Sequence, residues 1–398
     1  MQENEELFPE LSGNFMGVTK NSQGLTRKIT EVEPGNYRIS IKCANNAEII
    51  GFAGRRNLIG CISQNEKNPC ITGAVHVGRY IPRGSEETYC MPLCVSVTTD
   101  EEMIELISWE KCLVPTVHIA GDSTSTDQPS DHPYYAPECF GGWGQMLQYF
   151  LGDKAAVANH AHSGLTTETF RGEGHYGIMR DELKEGEFVF LQFGHNDQKL
   201  AYLSADTGYS KNLEKFIDDI RESSALPVLV TSLARNTWKP DGEYNDLLYA
   251  HAKAVISLGE RKKVPVIDLH KIWIDLIKEL GKKGAEKYYH PGDITHTNDI
   301  GAFKVANIIA NEIINIDPES FPGYGALANL VDRDRLKDNK AEVFFDKKLK
   351  EWLEQVNMGK SFKGADVLNE IVPDDLTGPA VWQADEDGVL KNPDGSPV

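Results

Sequence analysis

Val117-His118-Ile119-Ala120-Gly121-Asp122-Ser123-Thr124 is an apolar, partly β-branched run that stops at a glycine and gives way to short polar side chains. Such a run reads as a strand buried on both faces, as found in parallel sheets. In open parallel sheets, ligands bind beyond the carboxyl ends of the strands. A serine just past such an end, after a glycine that permits a sharp turn, presents its hydroxyl to whatever occupies the crevice. Taken alone, Gly121-Asp122-Ser123 reads as a capped turn. Its meaning depends on what surrounds it.

Downstream, similar runs recur at 155–161, 188–193, 228–231 and 264–269. Helical stretches fall at 142–151, 210–224, 244–260, 270–282 and 300–314. Alternation of this kind predicts an α/β unit with a parallel sheet and right-handed crossovers. Upstream, from about residue 8 to 113, the texture is different. Tyr37-Arg38-Ile39-Ser40-Ile41-Lys42 alternates with period two after a Pro34-Gly35 turn, and short strands recur between Gly, Asn and Asp residues. That spacing predicts a β-sandwich, closing with a strand over 104–109. After about 318 come an amphipathic helix over 344–356 and, from Val372, a loop-rich tail. The expected organisation is therefore 1–113, 114–318 and 319–398.

Composition narrows the function. A net charge of −19 over 398 residues argues against nucleic acid and anionic membranes as partners. No apolar run reaches the length of a membrane span. The acidic start Met1-Gln2-Glu3-Asn4-Glu5-Glu6 lacks the pattern of a signal peptide, and seven cysteines without zinc spacing suit reduced thiols. Both observations favour a cytoplasmic location, with secretion left open by a leader removed upstream.

Three more polar blocks follow predicted strands or lie near the same edge: Ser163-Gly164, Gly194-His195-Asn196-Asp197 and Asp293-Ile294-Thr295-His296. Each alone is a turn or a cap. Together with Ser123 they supply what acyl transfer requires: a nucleophile, a base, a group orienting the base, and donors for the developing oxyanion. Ser123 is the candidate nucleophile and His296 its base. Asp293, three residues earlier, would hold the imidazole in the right tautomer. The backbone N–H groups of Ser123 and Gly164 and the side-chain amide of Asn196 are the candidate oxyanion hole.

These four blocks resemble those of the SGNH (GDSL-type) hydrolases, whose motif Ser, Gly, Asn and His fall here on Ser123, Gly164, Asn196 and His296, with Asp293 preceding the histidine. Gly142-Trp143-Gly144-Gln145, Thr169-Phe170 with Glu173-Gly174, Phe193-Gly194-His195-Asn196-Asp197 and Asp293-Ile294-Thr295-His296-Thr297-Asn298 are similar to the rhamnogalacturonan and pectin acetylesterase branch. The resemblance covers roughly 115 to 316. It implies a three-layer α/β/α sandwich and a serine esterase that deacetylates plant cell-wall glycans with neither metal nor organic cofactor. Pro34-Gly35-Asn36-Tyr37 and Arg55-Arg56 likewise look like the galactose-binding-like β-sandwich preceding the catalytic domain in some bacterial members. One departure concerns substrate: Leu165 and Glu168 stand where the branch usually carries basic residues.

Several side chains are open to two readings. Arg171, Lys199, Arg235 and Lys239 are either cationic contacts for substrate or ordinary solvated charges. Trp143 suits a sugar-stacking surface or a strand–helix junction equally. His160 and His162 lack an evident third metal ligand. The rival functions are another SGNH activity, such as a lipase, thioesterase or acetylated-xylan esterase, and a non-catalytic carbohydrate-binding protein. The polar run Thr124-Ser125-Thr126-Asp127-Gln128 offers a lipase no greasy channel. Nothing in the sequence sets the oligomeric state.

Overall fold

The computed structural model describes residues 15–20, 26–45, 48–63, 65–81, 85–98, 103–128, 134–358, 382–396 and 398. Up to residue 112 the described residues carry the strands Phe15–Lys20 (β1), Thr26–Thr30 (β2), Gly35–Cys43 (β3), Ile49–Ala53 (β4), Asn57–Ile62 (β5), Cys70–Val77 (β6), Arg79–Tyr80 (β7), Tyr89–Cys90 (β8), Leu93–Val97 (β9) and Ile104–Cys112 (β10). They form two larger antiparallel sheets, ordered β1-β2-β9-β4-β5 and β10-β3-β6, and a two-stranded one, β7-β8. Period-two alternation sends Tyr37, Ile39 and Ile41 of one sheet and Ile49, Val95 and Val97 of the other into a shared core. The last strand runs three residues past its expected end, because β10 pairs with β3 as far as Cys112↔Asn36.

The chain then enters a parallel sheet: Thr116–Gly121 (β11), Ala156–Asn159 (β12), Phe188–Gln192 (β13), Leu226–Val230 (β14) and Val266–Ile267 (β15), in the order β12-β11-β13-β14-β15. The connecting helices are Trp143–Leu151 (α1), Thr169–Gly172 (α2), His175–Glu182 (α3), Ser210–Glu222 (α4), Tyr249–Lys262 (α5), Leu269–Ala285 (α6) and Asp299–Asn315 (α7). Val117, Ile119, Phe188 and Phe190 face a core shared with α1, α6 and α7. Their neighbours Ala120, Val189 and Leu191 face a second core shared with α2, α3, α4 and α5. The expected α/β class and its three layers are thus present.

Differences from the predicted elements have local causes. Helix α5 starts five residues later than expected, because 236–245 folds back on itself through the Trp238↔Tyr244 bridge and the Asn245 N–H to Thr237 carbonyl bond. β15 keeps only two of six expected residues, since Pro265 has no N–H to give a ladder and Asp268 already caps α6. Helix α3 was not expected; its sequence carries a weak apolar stripe (Ile178, Met179) after Gly174.

Gly325–Leu330 (α8), Arg333–Lys337 (α9) and Lys340–Asn357 (α10) follow, and α10 docks through Phe344, Phe345 and a Trp352 Nε1 to Glu138 Oε1 bond of 2.7 Å. Of the expected loop-rich tail, residues 372–381 lie outside the described residues. The rest forms a short hairpin, Gln383–Ala384 (β16) with Leu390–Lys391 (β17), tied to the α/β unit through the Trp382 carbonyl, which accepts from Asn245, and the Asp387 carbonyl, which accepts from the Ala205 N–H. No helix among the described residues is long and apolar enough to cross a membrane.

The all-β region and the α/β unit share more than a linker. Ile50, Phe52 and Leu58 pack into the core that holds α1 and α7. Arg56, in the turn between β4 and β5, reaches into the α/β unit and pairs with Asp299 at the start of α7, with both side chains almost wholly buried. Its guanidinium also donates to the carbonyls of Gln128 and Phe140. The two regions therefore pack together through a buried ion pair and a shared apolar core.

Candidate active site

Strand order reverses across β11, with β12 on one side and β13 on the other. Loops leaving the ends of these three strands therefore diverge and open a crevice. Ser123 follows β11, Gly164 follows β12 and Asn196 follows β13, so three of the four blocks meet there by topology. The fourth arrives on the loop before α7, held by the Tyr289↔Thr297 bridge, in which the His290 N–H donates to the His296 carbonyl and the Asn298 N–H to the Tyr288 carbonyl, and by Asn298, which caps α7 through the Gly301 N–H at 2.9 Å.

At the end of β11, Asp122 shapes the turn. Its Oδ1 accepts from the N–H and hydroxyl of Thr124 at 3.0 and 2.8 Å, and its Oδ2 faces His195 Nδ1 at 3.3 Å. Burial would push this carboxyl up, but His195 and the Thr124 donors more than offset it and hold it below the usual carboxylate range. Asp122 is wholly buried, so it organises the turn and does not meet substrate. The turn packs tightly on α1: a Cβ on Gly144 would come within 2.4 Å of the Ser125 carbonyl oxygen.

Ser123 Oγ lies 2.8 Å from His296 Nε2, and His296 Nδ1 lies 2.7 Å from Asp293 Oδ2. Asp293 Oδ1 also accepts from the N–H groups of Thr295 and His296 at 2.6 and 2.9 Å. Burial opposes ionisation of Asp293, but the His296 hydrogen bond and charge, with those two amides, keep its pKa below the ordinary value. A charged carboxylate behind the ring requires the proton on Nδ1, which leaves the Nε2 lone pair for the serine hydroxyl.

A cavity of about 330 Å³ opens over this pair, lined by Ser123, Gln128, Phe140, Gly164, Asn196 and His296, among others. The Ser123 and Gly164 N–H groups donate to no protein acceptor among the described residues. Gly164 has φ +88°, a conformation that a side chain rarely adopts, and a Cβ there would project into open space. Asn196 Nδ2 donates one proton to the Leu165 carbonyl at 3.0 Å, while its Oδ1 accepts from Lys199 Nζ at 3.2 Å. Those partners fix the amide orientation and leave the second Nδ2 proton available. Asp197 ties this loop to the next, because its Oδ1 accepts from both the N–H and the hydroxyl of Thr167.

The predicted substrate contacts divide. Lys199 and Arg235 line the cavity. Trp143 does not: it is fully buried, with Nε1 donating to Gln192 Oε1 at 2.6 Å, so the junction reading applies. Arg171 is also removed from the site, paired with Asp219 at 2.7 Å and stacked on Tyr176 and Phe216. Lys239 is exposed beside Glu243. His160 stacks on His118, and among the described residues no group of three His, Cys, Asp or Glu is placed to hold a metal ion.

Gln128, read in the sequence only as part of the polar run after Ser123, lines the cavity, and its Nε2 donates to the Ser123 carbonyl at 3.1 Å. Phe140, which the sequence reading missed, stacks on His290 with ring centroids 3.7 Å apart while standing edge-on to His296. An aromatic before the pair Gly141-Gly142 was the available signal for it.

A parallel-sheet scaffold with a serine–histidine–aspartate array at its strand ends is the geometry that acyl transfer by a serine nucleophile requires. Residues 119–302 match the model of the GDSL-like lipase/acylhydrolase family, and the chain belongs to that family. It is 32% identical over 210 residues to the rhamnogalacturonan acetylesterase RhgT of Bacillus subtilis, covering 50% of this chain and 88% of the relative. It is 29% identical over 211 residues to the probable rhamnogalacturonan acetylesterase YesY of the same organism, covering 50% and 91%. The crystal structure of Bacillus subtilis YxiM aligns over 75% of this chain and 82% of its own, at 19% identity and a TM-score of 0.48.

Proposed function

We propose that this protein is a carbohydrate acetylesterase that removes acetyl groups from plant cell-wall glycans of the rhamnogalacturonan or pectin type, or from their oligosaccharides. The 2.8 Å contact between Ser123 Oγ and His296 Nε2, beneath a cavity bearing unoccupied amides, carries the reading. Ser123 Oγ attacks the acetyl carbonyl as His296 takes its proton. The tetrahedral oxyanion meets the Ser123 and Gly164 N–H groups and the free Asn196 amide proton. His296 then protonates the departing sugar oxygen, leaving Ser123 acetylated. Water, deprotonated by His296, attacks the acetyl carbon; collapse returns the proton to Ser123 and releases acetate.

Similarity to named rhamnogalacturonan acetylesterases supports the glycan class. Lys199 in the cavity wall, with no carboxylate within 4.0 Å among the described residues, suits a substrate that carries negative charge. Leu165 and Glu168 favour a second reading, a neutral acetylated glycan such as xylan, because they replace the branch's basic residues. In either case residues 1–113 are read as a galactose-binding-like sandwich that walls the catalytic unit, with 319–398 as an extension.

The test is acetate release from acetylated rhamnogalacturonan, pectin and xylan fragments, with Ser123→Ala as control. The variant should fold normally and keep less than about a hundredth of wild-type kcat. A preference for long-chain acyl esters over every acetylated glycan would refute the proposal.

A further inference from the structure

Arg235 is a nine-tenths-buried cation that the catalytic steps do not use. It is 4% exposed, yet among the described residues it has no carboxylate partner. Every acceptor it meets is neutral. One terminal nitrogen donates to the Thr295 hydroxyl; the other donates to the His195 carbonyl at 3.3 Å and to Gln198 Oε1 at 3.0 Å. His195 precedes Asn196, and Thr295 precedes His296. Its guanidinium therefore stands between the loop bearing the oxyanion donor and the loop bearing the base.

The segment carrying Arg235 is itself fixed to the second loop. The Asn236 N–H donates to the Ile294 carbonyl at 2.8 Å, and Tyr289 Oη donates to the Ala234 carbonyl at 3.0 Å. Tyr244 Oη donates to the carbonyl of Arg235 at 2.8 Å. On the far side Gln198 is held by its own bond to the Leu247 carbonyl at 2.7 Å. Thr295 then passes the restraint on, because its N–H donates to the carboxylate that orients the imidazole.

We infer that Arg235 is a positioning residue: its planar fork locks the Asn196 loop and the His296 loop at one separation, so that oxyanion donor and base address the same acetyl group. This inference rests on the acyl-transfer reading of the site and on no particular glycan. A lysine cannot replace the fork, since a single ammonium on a flexible stem does not hold two loops at a fixed distance. Misplacement of catalytic groups by about 1 Å costs on the order of a hundredfold in rate.

The inference is tested with Arg235→Lys, Arg235→Gln and Thr295→Val in the full chain. Turnover is followed on 4-nitrophenyl acetate and on acidic and neutral acetylated oligosaccharides. The rate at which a 4-nitrophenyl alkylphosphonate modifies Ser123 is followed by mass spectrometry. That trapping reads nucleophile and oxyanion hole directly, so it remains decisive if the glycan reading fails. Both Arg235 variants should lose about a hundredfold in kcat on every substrate, with KM within about threefold of wild type and phosphonylation slowed in parallel. Thr295→Val, which removes one end of the brace and retains the buried cation, should show a smaller loss in the same pattern. Added to Arg235→Lys it should cost little more, because both changes break one linkage. An increase in KM confined to acidic oligosaccharides, with kcat and phosphonylation unchanged, would make Arg235 a substrate contact and overturn the inference; so would full activity of Arg235→Lys.

Discussion

Replacing Arg56 with methionine tests whether the all-β region is a structural part of the catalytic unit. The guanidinium and the Asp299 carboxylate are 4% and 0% exposed, and Tyr134 Oη donates to the same carboxylate oxygen at 2.8 Å. Methionine fills much of the volume but leaves Asp299 facing only Tyr134, its Oδ1 already lacking a partner. Removing one member of a buried ion pair typically costs about 3–5 kcal/mol, because the other is left uncompensated. At about 2–4 °C per kcal/mol, the melting temperature should fall by roughly 6–20 °C. Turnover should fall too, since Arg56 also holds the Phe140 carbonyl, and Phe140 stands against His296. Removing both charges, as in Arg56→Met with Asp299→Leu, should restore much of the lost stability, as buried pairs often tolerate apolar replacement. Circular dichroism melts and 4-nitrophenyl acetate hydrolysis suffice. A single variant melting within about 2 °C of wild type, less than 1 kcal/mol by the same conversion, would show that the pair does not bind the two regions together.

Asn196→Ala should lower kcat by roughly a hundred- to a thousandfold with little change in KM or melting, as expected for a donor used in the transition state; a lowered melting temperature with normal kcat would make it a mere loop cap. Asp197 is fully buried and its pKa is pushed up to about 7, first by burial. Because this lies above the unfolded value, its contribution to stability is complete below about pH 4 and is lost as pH rises through about 7. Relative to Asp197→Asn, the wild type should therefore weaken by on the order of 2–4 kcal/mol between pH 4 and 8 in denaturant titrations, and parallel pH profiles would refute the burial argument.

The positions of the candidate site residues were legible because the chemistry proposed for them requires particular residue types at strand ends, and strands declare themselves by apolar periodicity. Ser123, Gly164, Asn196, His296 and Asp293 all fall where that argument puts them. Residues whose roles depend on tertiary neighbours were not legible in the same way. Trp143 and Arg171 look like sugar contacts in one dimension; Gln192, at the end of β13, and Asp219, on α4, claim them in three. Arg56 stands in a tight turn with φ +77°, and nothing local announces a carboxylate 243 positions away. The shortness of β15 was likewise hidden, because an apolar run records burial and not how many of its amides find a ladder.

That long separation has a consequence for biosynthesis. The antiparallel sheets are synthesised before the α/β unit, and Asp299 is made 243 residues after Arg56, roughly 12–50 s later at about 5–20 residues per second. Throughout that interval Ile50, Phe52 and Leu58, whose final neighbours include α7, have incomplete cover. Truncated chains ending before Asp299 should therefore depend on chaperones in proportion to how long they persist.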